Sequence, residues 1–278
     1  MKPSYQALSP ILGELVWNQS PSDELLGYQL AYLTHIQNQY SSDLVEVRQG
    51  FTRLSLVWKN LLNQQEFVRI LKDMQLDPIK LPDTIWEVPV CYDTKFGHDL
   101  APLAESKNLS LAEVVHLHTA PSYRVHFFGF LPGFFYLNGL SSMLFAPRKS
   151  TPSLAVQPGS VAIGGSQTGI YPMQSPGGWH IIGRSPLNFF DPKQPIPVWA
   201  KPGDQIQFVP ISVSQFDNWK EQLPKSVQKW VKFKEKRYSY AVPQAAPCKM
   251  KDVCWAPNLA FHLQVPWTNL VTDGQTTS

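Results

Sequence analysis

The sequence predicts an α+β domain, then an all-β barrel, then a basic helical and Pro-rich extension, and three observations carry that prediction. Between residues 118 and 210 nearly every short apolar run is bounded by Gly, Pro, Ser or Asn, as in many short strands joined by tight turns. Ahead of it, apolar residues recur by turns at strand and at helix spacing, which is the pattern of a mixed α+β domain. Beyond Ile211 the chain becomes rich in Lys with aromatic residues interleaved. The expected division is therefore 1–87, 88–212 and 213–278.

Taken in order, ILGELVW (residues 11–17) reads as a first strand. Ser20 is the expected cap of the helix that follows, with Pro21 in its first turn and Asp23 and Glu24 at its positive end,. Leu26, Leu30 and Leu33 recur at i, i+4 and i+7, so one face is apolar,. Residues 44–49 and 54–58 make an antiparallel pair around GFTR. A second helix then places Phe67, Ile70, Leu71 and Met74 on one face, and TIWEVPVCY (residues 84–92) closes the set as a strand,. The order β-α-β-β-α-β is that of a ferredoxin-like plait.

Ser110 with Glu113 three residues on is a capping box, followed by Leu111, Val114 and Val115,. A pair of short helices is expected there between the two domains. His118 stands four residues beyond Val114. It either caps the helix C-terminus or points into the groove that the barrel strands form. Residues 214–238 predict two short amphipathic helices broken by Pro224,. Such a face either packs on its own domain or meets a membrane surface or an acidic partner. From Ala241 the chain is Pro-rich and is expected to be extended,.

The 278 residues, 43% hydrophobic and 16% charged, describe a globular protein able to bury one or two cores,. A net charge of +3 implies no nucleic-acid partner,. No apolar run reaches the ~20 residues that span a bilayer, and MKPSYQALSP lacks the apolar core of a signal peptide,. No membrane partner and a cytoplasmic location are expected. Cys91, Cys248 and Cys254 are an odd count without CxxC spacing, which speaks against a disulfide framework or a zinc site. Cys91 is expected as a buried strand residue, and a Cys248–Cys254 pair stays open.

GxxxxGK[ST] occurs nowhere, and GGSQTG (residues 164–169) is neither a phosphate loop nor a Rossmann turn,. GGSQT around Ser166 misses the nucleophile elbow, because Thr168 stands where its last glycine belongs,. His116, His118, His126 and His180 are too scattered to define a metal site,. What remains is a polar set held by glycine turns. In SPGGW (residues 175–179), Gly177 and Gly178 let the backbone approach a ligand or take positive φ and so present N–H donors,. Arg184 follows at the end of the next run and can grip a carboxylate through two hydrogen bonds, with Gln167 and Tyr171 as further hydrogen-bonding groups,. The alternative is a plain hairpin, with Trp179 in the core and Arg184 paired to Asp191.

GFLPGFFYLNGL, GSVAIGGSQTGIYP, SPGGWHIIGR and FDP, in that order and spacing, resemble the family of the B subunit of 5-oxoprolinase, also called allophanate hydrolase subunit 1 or the KipI-type kinase inhibitor family. The resemblance runs from VPVCYDTKFGHDLAPLA to about Ile211. It implies a cyclophilin-like β-barrel after a ferredoxin-like domain. It also implies a subunit inactive alone that opens 5-oxoproline with ATP and Mg shared among partners. Those partners are an allophanate hydrolase subunit 2-like protein and a LamB/YcsF-like protein. The candidates read from residue types within these segments are Arg184, Gln167 and His118 as catalytic and Tyr171, Ser175, Gly177, Gly178 and Arg148 as substrate-binding, with no metal ligand. Ser153 departs from the family pattern, which has a second arginine after Thr-Pro, and Glu14 departs from a Gly-Asp pair in the first strand. The KipI-type name implies inhibition of a sensor histidine kinase; Phe134, Phe135 and Tyr136 either form its contact surface or fill the barrel core,. A carboxyltransferase or allophanate hydrolysis role is the third reading.

Overall fold

The computed structural model describes residues 1–219 and the backbone of 225–228. Its first sheet has the order β1 (Ser4–Ser9), β2 (Leu12–Val16), β4 (Arg53–Trp58), β3 (Leu44–Gln49), antiparallel throughout. Helices α1 (Asp23–Tyr40) and α2 (Leu61–Leu71) cover it. Their core is aromatic, with Tyr32, Trp58 and Phe67 at most 1% exposed. The cap of α1 is Ser22, whose extended backbone lets its side chain accept from the Leu25 N–H. Ser20 is therefore not the cap, and Pro21 lies ahead of the helix. Met74 falls past the end of α2 and Ile70 turns outward at 38% exposure, while Phe67 and Leu71 are buried as expected.

The expected β-α-β-β-α-β order is corrected in one respect. β5 (Thr84–Val90) does not join this sheet; it pairs in parallel with β13 (Gln205–Pro210) in the second one. β1 pairs beside β2 at the edge instead, giving β-β-α-β-β-α. The expected boundary between residues 87 and 88 thus falls inside β5.

The second sheet takes β12 (His180–Arg184), β9 (Ser160–Gly164), β10 (Gln167–Ile170), β7 (Phe135–Asn138), β6 (Ser122–Phe128), β13, β5 and β14 (Lys225–Gln228), in that order. It curls on itself. Cys91, just past β5, bridges Arg184 at the end of β12 with N–H···O distances of 2.9 and 3.0 Å, which links the two sides of the curl. Cys91 is buried, as expected. β8 (Ser153–Val156) and β11 (Ser175–Gly177) form a separate ribbon. Helices α3 (Leu100–Ser106) and α4 (Leu111–Thr119) follow β5, so they pack on the curled sheet and do not link the domains. The capping box is present, Ser110 and Glu113 each bonding the other's backbone N–H.

The two sheets meet through Phe51, whose ring lies 5.0 Å from both His126 and Phe127, and through Arg124, which bonds Asp23. After residue 211 the chain begins helically with α5 (Val213–Phe216). Lys225–Gln228 then pairs with β5 as a strand, against the expected second helix. A strand with one open edge recruits backbone partners whatever the local propensity. The Pro-rich segment, Cys248 and Cys254 lie outside the described residues. Among the described residues no helix is long and apolar enough to cross a membrane.

Candidate functional site

Alternation along β9, β10 and β12 divides their side chains between two faces. Val161, Ile163, Ile170 and Ile182 enter the core of the curled sheet, while Ala162, Tyr171, Trp179 and Ile181 form a second cluster outside it with Phe134 and Val156.

Thr168 and His118 belong to the inside. The Thr168 hydroxyl donates to the Ala162 carbonyl at 3.0 Å, so its oxygen accepts from His118 Nε2–H at 2.9 Å. Tyr92 Oη donates to His118 Nδ1 at 2.8 Å, and the imidazole stacks on Phe208 at 4.7 Å. This network specifies a neutral ring protonated on Nε2. Burial depresses its pKa to about 3. His118 is fully enclosed, so it neither caps α4 with its ring nor reaches a groove. Both ring nitrogens are occupied, and the ring is closed off from solvent.

Outside, the glycines of SPGGW have a steric role. Neither takes positive φ. A Cβ on Gly177 would lie 2.3 Å from Tyr171 Oη, and one on Gly164 would lie 2.5 Å from the Trp179 ring. The aromatic cluster therefore requires both. A Cβ on Gly178 would make only ordinary contact, with the Lys149 carbonyl at 3.8 Å and Pro152 at 3.9 Å. Tyr171 packs edge-on to Phe134 at 4.9 Å, and Phe134 edge-on to Trp179 at 5.5 Å. Burial pushes the Tyr171 hydroxyl up to about 12, against a backbone hydrogen bond from Trp179 and the positive charge of Arg148. Ser175 Oγ is buried without a hydrogen-bond partner among the described residues.

The Arg148 guanidinium lies 6.0 Å over the Trp179 ring and is exposed, with no ion pair among the described residues. Its loop is laid along the SPGGW segment. Lys149 N–H donates to the Gly178 carbonyl at 2.7 Å, and His180 Nε2 lies 2.8 Å from the Pro147 carbonyl. Lys149 Nζ donates to Asp99 Oδ2 and to Ser153 Oγ, each at 2.8 Å. The same Asp99 oxygen accepts from Ile181 N–H at 2.8 Å. Sequence reasoning misses Asp99 and Lys149, which belong to no motif and meet only in the fold.

Arg184 does not share this place. β12 rises about 13 Å between His180 and Arg184 at ~3.3 Å per residue. Arg184 Nε is held by the Pro158 carbonyl at 2.8 Å, and its guanidinium lies 5.9 Å over Phe216. Burial lowers its pKa. Among the described residues it has no pair with Asp191, which bonds Lys193 N–H and Gln194 instead. Gln167 starts β10 at the β9 hairpin, paired with Gly164. The structure thus groups Tyr171, Gly177, Gly178 and Arg148, and it separates Arg184 and His118 from them. Phe134 and Phe135 do not form a contact surface: they are at most 1% exposed, filling the outer cluster and the core of the curled sheet.

GGSQTG is a β-hairpin with no helix N-terminus behind it, and no group of three His, Cys, Asp or Glu among the described residues could hold a metal ion.

A family model for the carboxyltransferase domain, subdomain C and D, matches residues 13–200. The chain is 35% identical over 215 residues to the 5-oxoprolinase B subunit of Bacillus subtilis (strain 168), covering 72% of this chain and 90% of that protein. It is 48% identical over 124 residues to the Escherichia coli O157:H7 protein of the same name, covering 45% and 57%. The crystal structure of TTHA0988 superposes with a TM-score of 0.63 at 33% identity, over 72% of this chain and 40% of that one; the chain therefore spans less than half of that neighbour. The Kluyveromyces lactis urea amidolyase superposes with a TM-score of 0.63 over 78% of this chain and 15% of that one, at 17% identity, and so shares the fold. On these matches the chain belongs to the carboxyltransferase subdomain C and D family, with the B subunits of 5-oxoprolinase as its relatives.

Proposed function

We propose that the chain is a subunit of an ATP-dependent 5-oxoprolinase-type complex that hydrolyses 5-oxo-L-proline to L-glutamate. The observation that carries this reading is the 35% identity to the B subunit of a 5-oxoprolinase along 90% of that relative's length. We read the curled sheet as the cyclophilin-like barrel of that family. The Arg148 face is its substrate side.

The chemistry of the ligand suits this face. 5-Oxoproline carries one carboxylate and one lactam on a small, largely apolar ring. An exposed guanidinium without a counter-charge can take the carboxylate through two hydrogen bonds. Trp179, only 4% exposed, lies beneath the guanidinium and supports it. Arg184 is too far along β12 to grip the same small molecule, so its role in this reading is structural, holding the Pro158 turn. In this reading ATP and Mg are shared with the companion subunits.

The test is release of glutamate from 5-oxoproline by the purified chain, with and without ATP and the two companion subunits. Activity in the full mixture with ATP, and none from the chain alone, is the expected result. An assembled complex that releases no glutamate would overturn the reading.

A further inference from the structure

Asp99 sits at the N-cap of α3, where an aspartate ordinarily accepts a hydrogen bond from the first turn and contributes about 1 kcal/mol to the helix. Its side chain makes no such bond. It is turned instead toward β12 and the loop after residue 146, where one oxygen takes both Ile181 N–H and Lys149 Nζ at 2.8 Å. His98 Nε2 lies 3.4 Å from that oxygen. The Asp99 and Lys149 side chains are each 17% exposed, so the pair is shielded far more than an ordinary surface ion pair.

We propose that Asp99 and Lys149 are a positioning pair that fixes Arg148 over Trp179 for the substrate carboxylate. The inference rests on the substrate face proposed above. Lys149 is the residue next to Arg148, and it is held at both ends: its N–H by the Gly178 carbonyl and its Nζ by Asp99 and Ser153. Trp179 lies between two residues that are held in turn, Gly178 through its carbonyl on Lys149 N–H and His180 through its ring on the Pro147 carbonyl. Both members of the Arg148–Trp179 contact therefore have their immediate neighbours fixed, and the Asp99 carboxylate joins the two sides. Ser153 Oγ is the second partner of Lys149 Nζ. An untethered arginine would lose rotamer and loop freedom on binding, and fixing it beforehand lowers that cost.

The test uses the assembled complex, reading KM for 5-oxoproline, kcat and melting temperature for Asp99→Asn, Lys149→Met, Arg148→Ala and the doubles with Arg148→Ala. Arg148→Ala should raise KM about tenfold or more, the scale of a lost charged hydrogen bond. Asp99→Asn and Lys149→Met should each raise KM several-fold with kcat unchanged, since they disturb binding that ground and transition states share. In the Arg148→Ala background neither should add anything, because residues acting through one another are non-additive. Lys149→Met leaves the Ile181 bond to Asp99 intact, so it carries the test if Asp99→Asn fails to fold. Additive effects on KM, or an unchanged KM in both single variants, would overturn the positioning role while leaving the substrate face standing. An unchanged KM in Arg148→Ala would overturn both.

Discussion

The two faces of β9, β10 and β12 are written by alternate residues of the same strands, and they have opposite chemistry. On the inner face the polar groups close upon one another: Thr168 holds His118, His118 is held by Tyr92, and aliphatic side chains fill the rest. On the outer face the apolar material is aromatic, and its polar rim ends in a guanidinium that no carboxylate neutralises among the described residues. The difference teaches that a histidine in a motif-rich stretch is not thereby functional. Its two ring nitrogens decide, and in His118 both are occupied. Arg148 is the reverse case, a charged group held at its flanks and free at its tip.

Acid stability should break the symmetry most strongly. His118 and His126 are kept neutral by burial, with pKa values near 3 and 4. Their unfolded counterparts titrate near 6.5, so below that pH the unfolded chain binds protons that the folded one refuses. Stability should fall as pH drops from about 6.5, each histidine steepening the slope by up to ~1.4 kcal/mol per pH unit, and the fall should level off near the folded pKa values. Denaturant midpoints across pH 7 to 4 measure this. A flat profile would place these rings in contact with water.

His118→Ala sharpens the inner half of the comparison. It leaves a cavity and orphans the Tyr92 hydroxyl, at a cost of about 3 kcal/mol,, and it should lower the melting temperature by roughly 10 °C. It should also flatten the acid slope, which a mere packing defect elsewhere would not do. On the outer face Gly177→Ala drives a Cβ against Tyr171 Oη and should cost about 1–3 kcal/mol, less than the inner variant because the outer cluster can shift toward solvent,. Arg148→Ala should change stability least, within about 0.5 kcal/mol, as scanning calorimetry would record.

Legibility in the sequence follows the reach of each interaction. The Ser110–Glu113 capping box spans three residues, and its signal is complete within them. β1 is illegible because SYQALS is a polar edge strand, mostly exposed and without alternation. β5 is recognisable as a strand, but its neighbour β13 lies more than a hundred residues on, and no local pattern names such a partner. The partners of His118 come from 26 and 50 residues away, and Asp99 meets Lys149 across 50. Arg184 suggests itself as the carboxylate grip because it follows SPGGW closely in sequence. An extended strand turns that short interval into distance, whereas Arg148, some thirty residues before Trp179, is brought back by the Lys149–Gly178 hydrogen bond.

The measurement that bears most directly on the account is glutamate release from 5-oxoproline by the assembled complex carrying Arg148→Ala beside one carrying His118→Ala, both well below their melting temperatures. The account predicts a KM raised about tenfold or more for Arg148→Ala and an unchanged KM for His118→Ala. The opposite pattern, with the inner variant losing substrate and the outer one keeping it, would contradict it.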